Sequence, residues 1–156
     1  MDAFADPTLL VNTKAGTVRG SRDGNTHRWL GIPYATPPVG ELRLKAPLPV
    51  QPWTGVRDAL EFGSAAPQEP TKVIPLPVGV EINEDCLNLN VWVPDGATGR
   101  LPVLFWIHGG AFNTGAASVY ADPTPLVSKG VVVVGINYRL GAMGFLGHPA
   151  VVEVLV

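Results

Sequence analysis

The chain has 156 residues, of which 46% are hydrophobic and 15% charged, so it suits one globular domain and not a disordered segment. Its formal net charge of −2 and its lack of any basic run argue against a nucleic-acid or anionic-membrane partner. No apolar run approaches the roughly 18 residues that a membrane helix requires.

Cysteine content and the first residues favour a cytoplasmic location. Cys86 is the only cysteine, so no internal disulfide can form, which favours a reducing compartment. The opening sequence MDAFADPT is acidic and lacks the basic-then-apolar order of a secretory signal. We therefore expect a cytoplasmic protein.

The first part of the chain predicts a small antiparallel meander. Short β-branched and apolar runs at 9–13, 16–21 and 27–34 are separated by turn sequences rich in glycine, asparagine and aspartate. From Pro33 to Pro77 lie ten of the sixteen prolines, which excludes a helix of useful length and argues against a central strand. We expect a long irregular excursion on the surface there.

Regular structure is predicted to return in the second half. Residues 86–93 alternate apolar and polar side chains and then become wholly apolar, which predicts a strand. A second apolar strand, expected to be buried, runs from Pro102 to Ile107. Asp122 is placed to cap a short helix over 123–130, and residues 131–138 predict a β-branched core strand. Strand, helix and strand in this order predict a βαβ unit of a parallel sheet.

The loop after the second of these strands, His108-Gly109-Gly110-Ala111-Phe112, carries the main functional signal. Paired glycines after a core strand fit either a plain tight turn or a loop that presents peptide N–H groups to a ligand. HGGG-type loops of ester hydrolases donate a backbone N–H to an oxyanion, and Ala111 is small enough to allow that approach. Each such donor is worth roughly 2.7–4 kcal/mol of barrier in acyl transfer.

Five motifs carry a family resemblance: GTVRG at 16–20, WLGIPYATPPVGELR at 29–43, EDCLNLNVWVP at 84–94, WIHGGAF at 106–112 and NYRLGAMGFL at 137–146. In this order they resemble the N-terminal part of type B carboxylesterases, which include para-nitrobenzyl esterases and cholinesterases. The resemblance implies an α/β class and an incomplete α/β-hydrolase fold. Its antiparallel meander leads into the first core strands of a mostly parallel sheet, and residues 1–156 form part of a single domain whose remainder is absent.

The resemblance also implies roles for the loop residues. The peptide N–H groups of Gly110 and Ala111 match the family's oxyanion-hole donors, while Gly109 and His108 shape the loop. Phe112 would line the acyl pocket. A structural ion pair of the family falls on Arg43 and Glu84.

The sequence departs from the family pattern in three respects. None of its serines lies in G-x-S-x-G, and the family's nucleophile, acid and base all fall downstream of residue 156. Ala66 replaces the cysteine that pairs with Cys86 in many relatives, and the cholinesterase tryptophan has no counterpart between Pro67 and Glu84. We therefore expect no esterase turnover from this chain alone, and no specialisation for choline esters.

Several polar residues near the motifs admit two roles. His108 could be a general base, but the resemblance gives it a loop-shaping role. Tyr138 and Arg139 could contact the substrate, but a role in supporting the site from beneath is the better interpretation. His27 and His148 are predicted to be surface residues.

The remaining reactive residues have structural interpretations as well. Cys86 fits a buried small hydrophobe better than a nucleophile. Glu84 and Asp85 suggest acid–base work, yet Arg43 makes a structural ion pair the better use of Glu84. The sequence contains no metal-ligand spacing and no phosphate-binding loop, so no cofactor is expected.

Three functions remain open at this point. The first is part of a serine carboxylesterase that cleaves a small-molecule carboxylic ester through an acyl-enzyme. The second is a non-catalytic binding or adhesion module, against which the missing signal and the missing cysteine argue. The third is a vestigial truncated product. The resemblance implies that the strand at 131–138 is left as an open edge, so a second polypeptide completing the fold is a candidate partner.

Overall fold

The computed structural model describes residues 6–69, 71–119 and 122–149. These segments contain short strands, two short α-helices and single 3₁₀ turns at Pro7–Leu9 and Gly40–Leu42. The strands are β1 (Leu10–Asn12), β2 (Thr17–Arg19), β3 (Ser21–Asp23), β4 (Thr26–Pro33), β5 (Val56–Asp58), β6 (Asn88–Pro94), β7 (Val103–Ile107) and β8 (Val132–Ile136). The helices are α1 (Thr124–Val127) and α2 (Gly141–Phe145).

The predicted meander is present but is divided between two sheets. Strand β1 pairs antiparallel with β2 in a small sheet completed by β5, whereas β3 pairs antiparallel with β4 at one edge of a five-stranded sheet. The single strand predicted at 16–21 breaks at Gly20, where the chain passes from one sheet to the other. A Cβ atom at Gly20 would lie 2.4 Å from the carbonyl oxygen of Arg28, so this crossing requires glycine.

The five-stranded sheet has the order β3-β4-β6-β8-β7. Its pairs β4–β6 and β6–β8 are antiparallel, and β7–β8 is parallel. The segment from β7 through α1 to β8 is therefore the predicted βαβ unit. Helix α1 is shorter than predicted: Pro123 is its N-cap residue, and the helix gives way to a turn at 128–130. The Asp122 Oδ1 atom accepts the Thr124 N–H at 3.0 Å.

Two expectations about the core strands are wrong. Strand β7 is not buried, since Val103, Phe105 and Ile107 are 57–61% exposed. The open edge of the described sheet is β7 and not the strand at 131–138, because β8 lies between β6 and β7. After β6, the chain forms β7 two strand positions away and leaves the neighbouring position open. The crossover through α1 then brings the chain back, and β8 fills the position between β6 and β7.

The buried residues form three hydrophobic clusters around the five-stranded sheet. One lies between the small sheet and β4, and a second joins the five-stranded sheet to α1 through Trp92, Val127 and Val133. The third surrounds Cys86 and Leu140 at the end of the sheet where the 108–112 loop begins. Neither described helix has the length and apolarity to cross a bilayer. Within the described ranges, no three His, Cys, Asp or Glu residues are grouped to hold a metal ion.

Candidate functional site

The 108–112 loop lies where the parallel strands β7 and β8 end side by side. Ile107 pairs in register with Ile136, so the residues that follow each strand meet at one edge of the sheet. A depression of about 470 Å³ opens there. It is lined by Ile107, His108, Gly109, Gly110, Ala111, Phe112, Ile136, Tyr138 and Phe145. The structure therefore brings the five loop residues of the predicted site to one mostly apolar surface.

Three successive residues of the loop have positive φ: Gly110 at 126°, Ala111 at 51° and Phe112 at 62°. A Cβ atom at Gly110 would lie 1.8 Å from the Thr114 carbonyl oxygen, so only glycine fits there. The turn closes through the Asn113 and Thr114 N–H groups, which both donate to the Gly110 carbonyl at 3.1 Å. Two adjacent non-glycine residues in this conformation are a costly arrangement of the kind that concentrates at functional sites.

The N–H groups of Gly110 and Ala111 donate to no protein acceptor within the part of the chain that the structure describes. Successive peptide N–H groups in a turn of this kind form a concavity that binds anions. The Phe112 carbonyl, in contrast, accepts the Gly141 N–H at 2.7 Å, which ties the loop to the start of α2. The loop is thus anchored on both sides of two unused donors.

His108 is buried, with 3% of its surface exposed, and it organises the base of the loop. Its Nδ1–H donates to the Gly109 carbonyl at 2.8 Å, and its ring stacks on that of Tyr138 with centroids 4.3 Å apart. Burial lowers the pKa of His108 below its usual 6.5, an effect that the hydrogen bond to Gly109 opposes. The enclosed ring, bonded through Nδ1 to the backbone of its own loop and stacked on Tyr138, supports the start of the loop.

An aromatic wall borders the depression. Phe112 and Phe145 lie with ring centroids 4.7 Å apart, and the edge of Phe145 meets Tyr138 at 6.3 Å. Phe112 is 60% exposed, so it has apolar surface available to a ligand. Tyr138 supports the loop from beneath, since its hydroxyl donates to the His108 carbonyl at 2.7 Å.

The ion pair implied by the resemblance forms away from the loop. The Arg43 guanidinium donates to both carboxylate oxygens of Glu84 at 2.7 Å, and these bonds hold the pKa of Glu84 below its usual value. Arg139 donates to the Lys45 carbonyl at 2.9 Å. Cys86 is fully buried, and burial raises the pKa of its thiol to about 11, so it remains protonated at neutral pH.

One histidine differs from its prediction. His27 is buried on β4 and not on the surface, and its Nε2 atom lies 2.9 Å from the Asp95 Oδ1 atom. Asp95 lies in the turn after β6, and the pairing of β6 with β4 brings its carboxylate next to the buried imidazole. His148 is exposed, as predicted.

Sequence reasoning missed two groups that hold the site. Gln68, in the proline-rich excursion, reaches across to Gly115 and bonds both its N–H and its carbonyl group. Asn137, directly after β8, accepts the Ala117 N–H at 2.7 Å and donates to the Ser64 carbonyl at 3.0 Å. The sequence signal for Asn137 is its place at the start of the NYRLGAMGFL motif, directly after a core strand, and for Gln68 we find none.

Comparison with known proteins gives a consistent result. The model of the carboxylesterase family matches residues 7–150. The chain is 48% identical over 143 residues to the para-nitrobenzyl esterase of Bacillus subtilis (strain 168), covering 88% of this chain and 29% of that protein. It is 43% identical over 152 residues to the fumonisin B1 esterase of Sphingopyxis macrogoltabida, covering 93% and 27%. A solved PNB esterase structure superimposes with a TM-score of 0.87 at 42% identity, covering 94% of this chain and 31% of that one. The chain spans less than a third of the length of these relatives.

Proposed function

The chain belongs to the carboxylesterase family, and from this premise we propose that it supplies the oxyanion-hole loop of a serine esterase acting on small-molecule carboxylic esters. One observation carries the proposal. The N–H groups of Gly110 and Ala111 are unused within the described segments, and they lie in a left-handed turn at an apolar depression. Both the fold class and the resemblance to para-nitrobenzyl esterases agree with it.

The chemistry of these donors follows from charge development. When a nucleophile attacks an ester carbonyl, negative charge accumulates on the carbonyl oxygen, and preorganised N–H donors stabilise that charge more than they stabilise the substrate. The aromatic side chains of Phe112, Tyr138 and Phe145 border the donors, and once the rest of the domain covered them they would lower the local dielectric constant and strengthen such bonds. His108 and Gly109 would hold the donors in place.

The nucleophile and base would come from the length of the relatives that this chain does not cover. In the family mechanism a serine attacks with a histidine as general base, and water then hydrolyses the acyl-enzyme. His108 is enclosed, with Nδ1 bonded to Gly109, so it does not replace that base. We therefore propose that residues 1–156 alone do not turn over esters.

The completing segment, on the same chain or on a second polypeptide, would pair at β7. That strand has a free edge in the described sheet, and its apolar side chains Val103, Phe105 and Ile107 stand exposed on one face. A further parallel strand would satisfy the edge, and the elements following it would cover this face. Residues 1–156 are accordingly proposed as the N-terminal part of one domain.

Hydrolysis of p-nitrophenyl acetate tests the proposal. The purified 156-residue chain is assayed alone, and again with a co-expressed segment comprising the remainder of the Bacillus subtilis para-nitrobenzyl esterase. We expect turnover only with the partner segment, and loss of turnover when the G-x-S-x-G serine of that segment is replaced by alanine. Multiple turnovers by the chain alone would overturn the proposed division of the site, and silence of the pair would favour a binding module or a vestigial product.

A further inference from the structure

The side chain of Gln68 uses its full amide group to join two separate segments. Its Oε1 atom accepts the Gly115 N–H at 2.8 Å and the Thr114 hydroxyl at 2.9 Å. Its Nε2 atom donates to the carbonyl groups of Gly115 at 2.9 Å and Ala66 at 3.1 Å. Four bonds on one side chain are unusual for an isolated surface glutamine, and they indicate a fixed connection.

The connection reaches the end of the loop whose middle holds Gly110 and Ala111. Gly115 has a φ of 108°, and a Cβ atom there would lie 2.6 Å from both the Gly109 carbonyl oxygen and the His108 Nδ1 atom. The end of the loop therefore packs directly on its beginning. Because Thr114 also crowds Gly110, a displacement of Thr114 and Gly115 is transmitted to the turn itself.

The anchor on the other side of Gln68 is rigid. Ala65 and Ala66 are 0% and 2% exposed, and Ala65 is held by a bridge to Ile82. The amide thus links the loop to a buried part of the core that contributes nothing else to the depression. A glutamate at this position would keep the acceptors but would place negative charge against two carbonyl oxygens.

We propose that Gln68 is a positioning residue for the oxyanion-hole loop, fixing the Gly110 and Ala111 N–H groups through Thr114 and Gly115. This inference rests on the proposed function for its catalytic meaning. Its geometric content, that Gln68 orders the loop, does not depend on that function. Gln68 does not line the depression and acts only through the backbone of the loop.

Hydrogen–deuterium exchange of the 156-residue chain tests the geometric content. Gln68→Met keeps the length of the side chain but removes its four bonds, and Gln51→Met makes the same change at an exposed position. We expect the Asn113 and Thr114 amides, which bond the Gly110 carbonyl and not Gln68, to exchange about tenfold faster in Gln68→Met, with β6 and β8 unchanged. Thr114→Val, which removes one bond, should give a smaller increase. Unchanged exchange at Asn113 and Thr114, or equal acceleration everywhere, would overturn the inference.

Steady-state kinetics of the chain completed by the partner segment tests the catalytic meaning. Misplaced N–H donors stabilise the transition state less, while binding of the substrate in the ground state is little affected. We therefore expect kcat to fall about 10- to 100-fold in Gln68→Met while KM changes less than about twofold. Gln51→Met should match the unsubstituted protein. An active pair with an unchanged kcat in Gln68→Met would refute the positioning role. An inactive unsubstituted pair would instead refute the proposed function, and the exchange data would still decide whether Gln68 orders the loop.

Discussion

Tyr138 holds His108 by two different contacts at once. The two rings stack with centroids 4.3 Å apart and an interplanar angle of 17°, while the Tyr138 hydroxyl donates to the His108 carbonyl at 2.7 Å. One contact fixes the side chain and the other fixes the backbone from which the glycine loop departs. Tyr138, the second residue after β8, thereby fixes the start of the loop that follows β7.

Substitutions at Tyr138 separate these two contacts. Tyr138→Phe keeps the stack and removes the hydrogen bond, so we expect the free energy of unfolding to fall by about 1 kcal/mol. Tyr138→Leu removes both and should cost roughly 0.5–1.5 kcal/mol more, the usual worth of an aromatic pair. Urea unfolding at constant m-value measures both changes. Equal losses in the two variants would show that the stack contributes nothing.

His108 makes stability depend on pH in a defined direction. Burial holds its folded-state pKa below the usual 6.5, so between the two values the unfolded chain binds more protons. Stability is therefore highest above about pH 6.5 and is lost as the pH falls towards the folded-state pKa. We expect His108→Gln to lose less stability than the unsubstituted chain between pH 7.5 and 5.5, measured by urea unfolding. The exposed His148→Gln is the control, and a His108→Gln dependence identical to that of the unsubstituted chain would contradict the assignment.

Gly110 combines a backbone conformation that disfavours side chains with a lack of space for one. Gly96 shares the first property, with a φ of 67°, but a Cβ atom there would meet nothing within 4 Å. We expect Gly96→Ala to cost about 1–2 kcal/mol and Gly110→Ala about 3 kcal/mol or more. The difference between the two in urea unfolding isolates the clash with Thr114. Similar costs would mean that the loop relaxes around the added methyl group.

Local patterns in the sequence predicted most of the strands, but not β5 in the proline-rich excursion and not helix α2. Alternation and β-branched runs identified β4, β6 and β8, although the observed bounds of β6 and β8, 88–94 and 132–136, are shifted or shorter than the predicted 86–93 and 131–138. The paired glycines located the candidate loop because a turn with φ of 126° leaves little choice of residue. These features depend on neighbours in the sequence.

Features that depend on distant parts of the chain were not predictable in the same way. The apolar residues of β7 predicted a buried strand, but no local pattern indicated that none of the described residues would cover one of its faces. Gln68 meets its partner 47 residues away through hydrogen bonds to backbone groups, which leave no periodic pattern. His27 was predicted to lie on the surface, and its burial near Asp95 follows from the alignment of β4 with β6, which no local pattern indicates.

The exposed face of β7 should govern self-association of the 156-residue chain. Its free edge and the three outward apolar side chains form the kind of strand that pairs with other chains. Phe105 is 57% exposed, so Phe105→Lys should preserve the fold while opposing association. Leu104, on the other face, packs on the cluster beneath α1, so Leu104→Lys should unfold the chain. Sedimentation velocity over a tenfold concentration range, together with circular dichroism, distinguishes these outcomes. If the unsubstituted chain remained monomeric throughout, β7 would not be an associating edge, and the need for a completing segment would lose its main physical support.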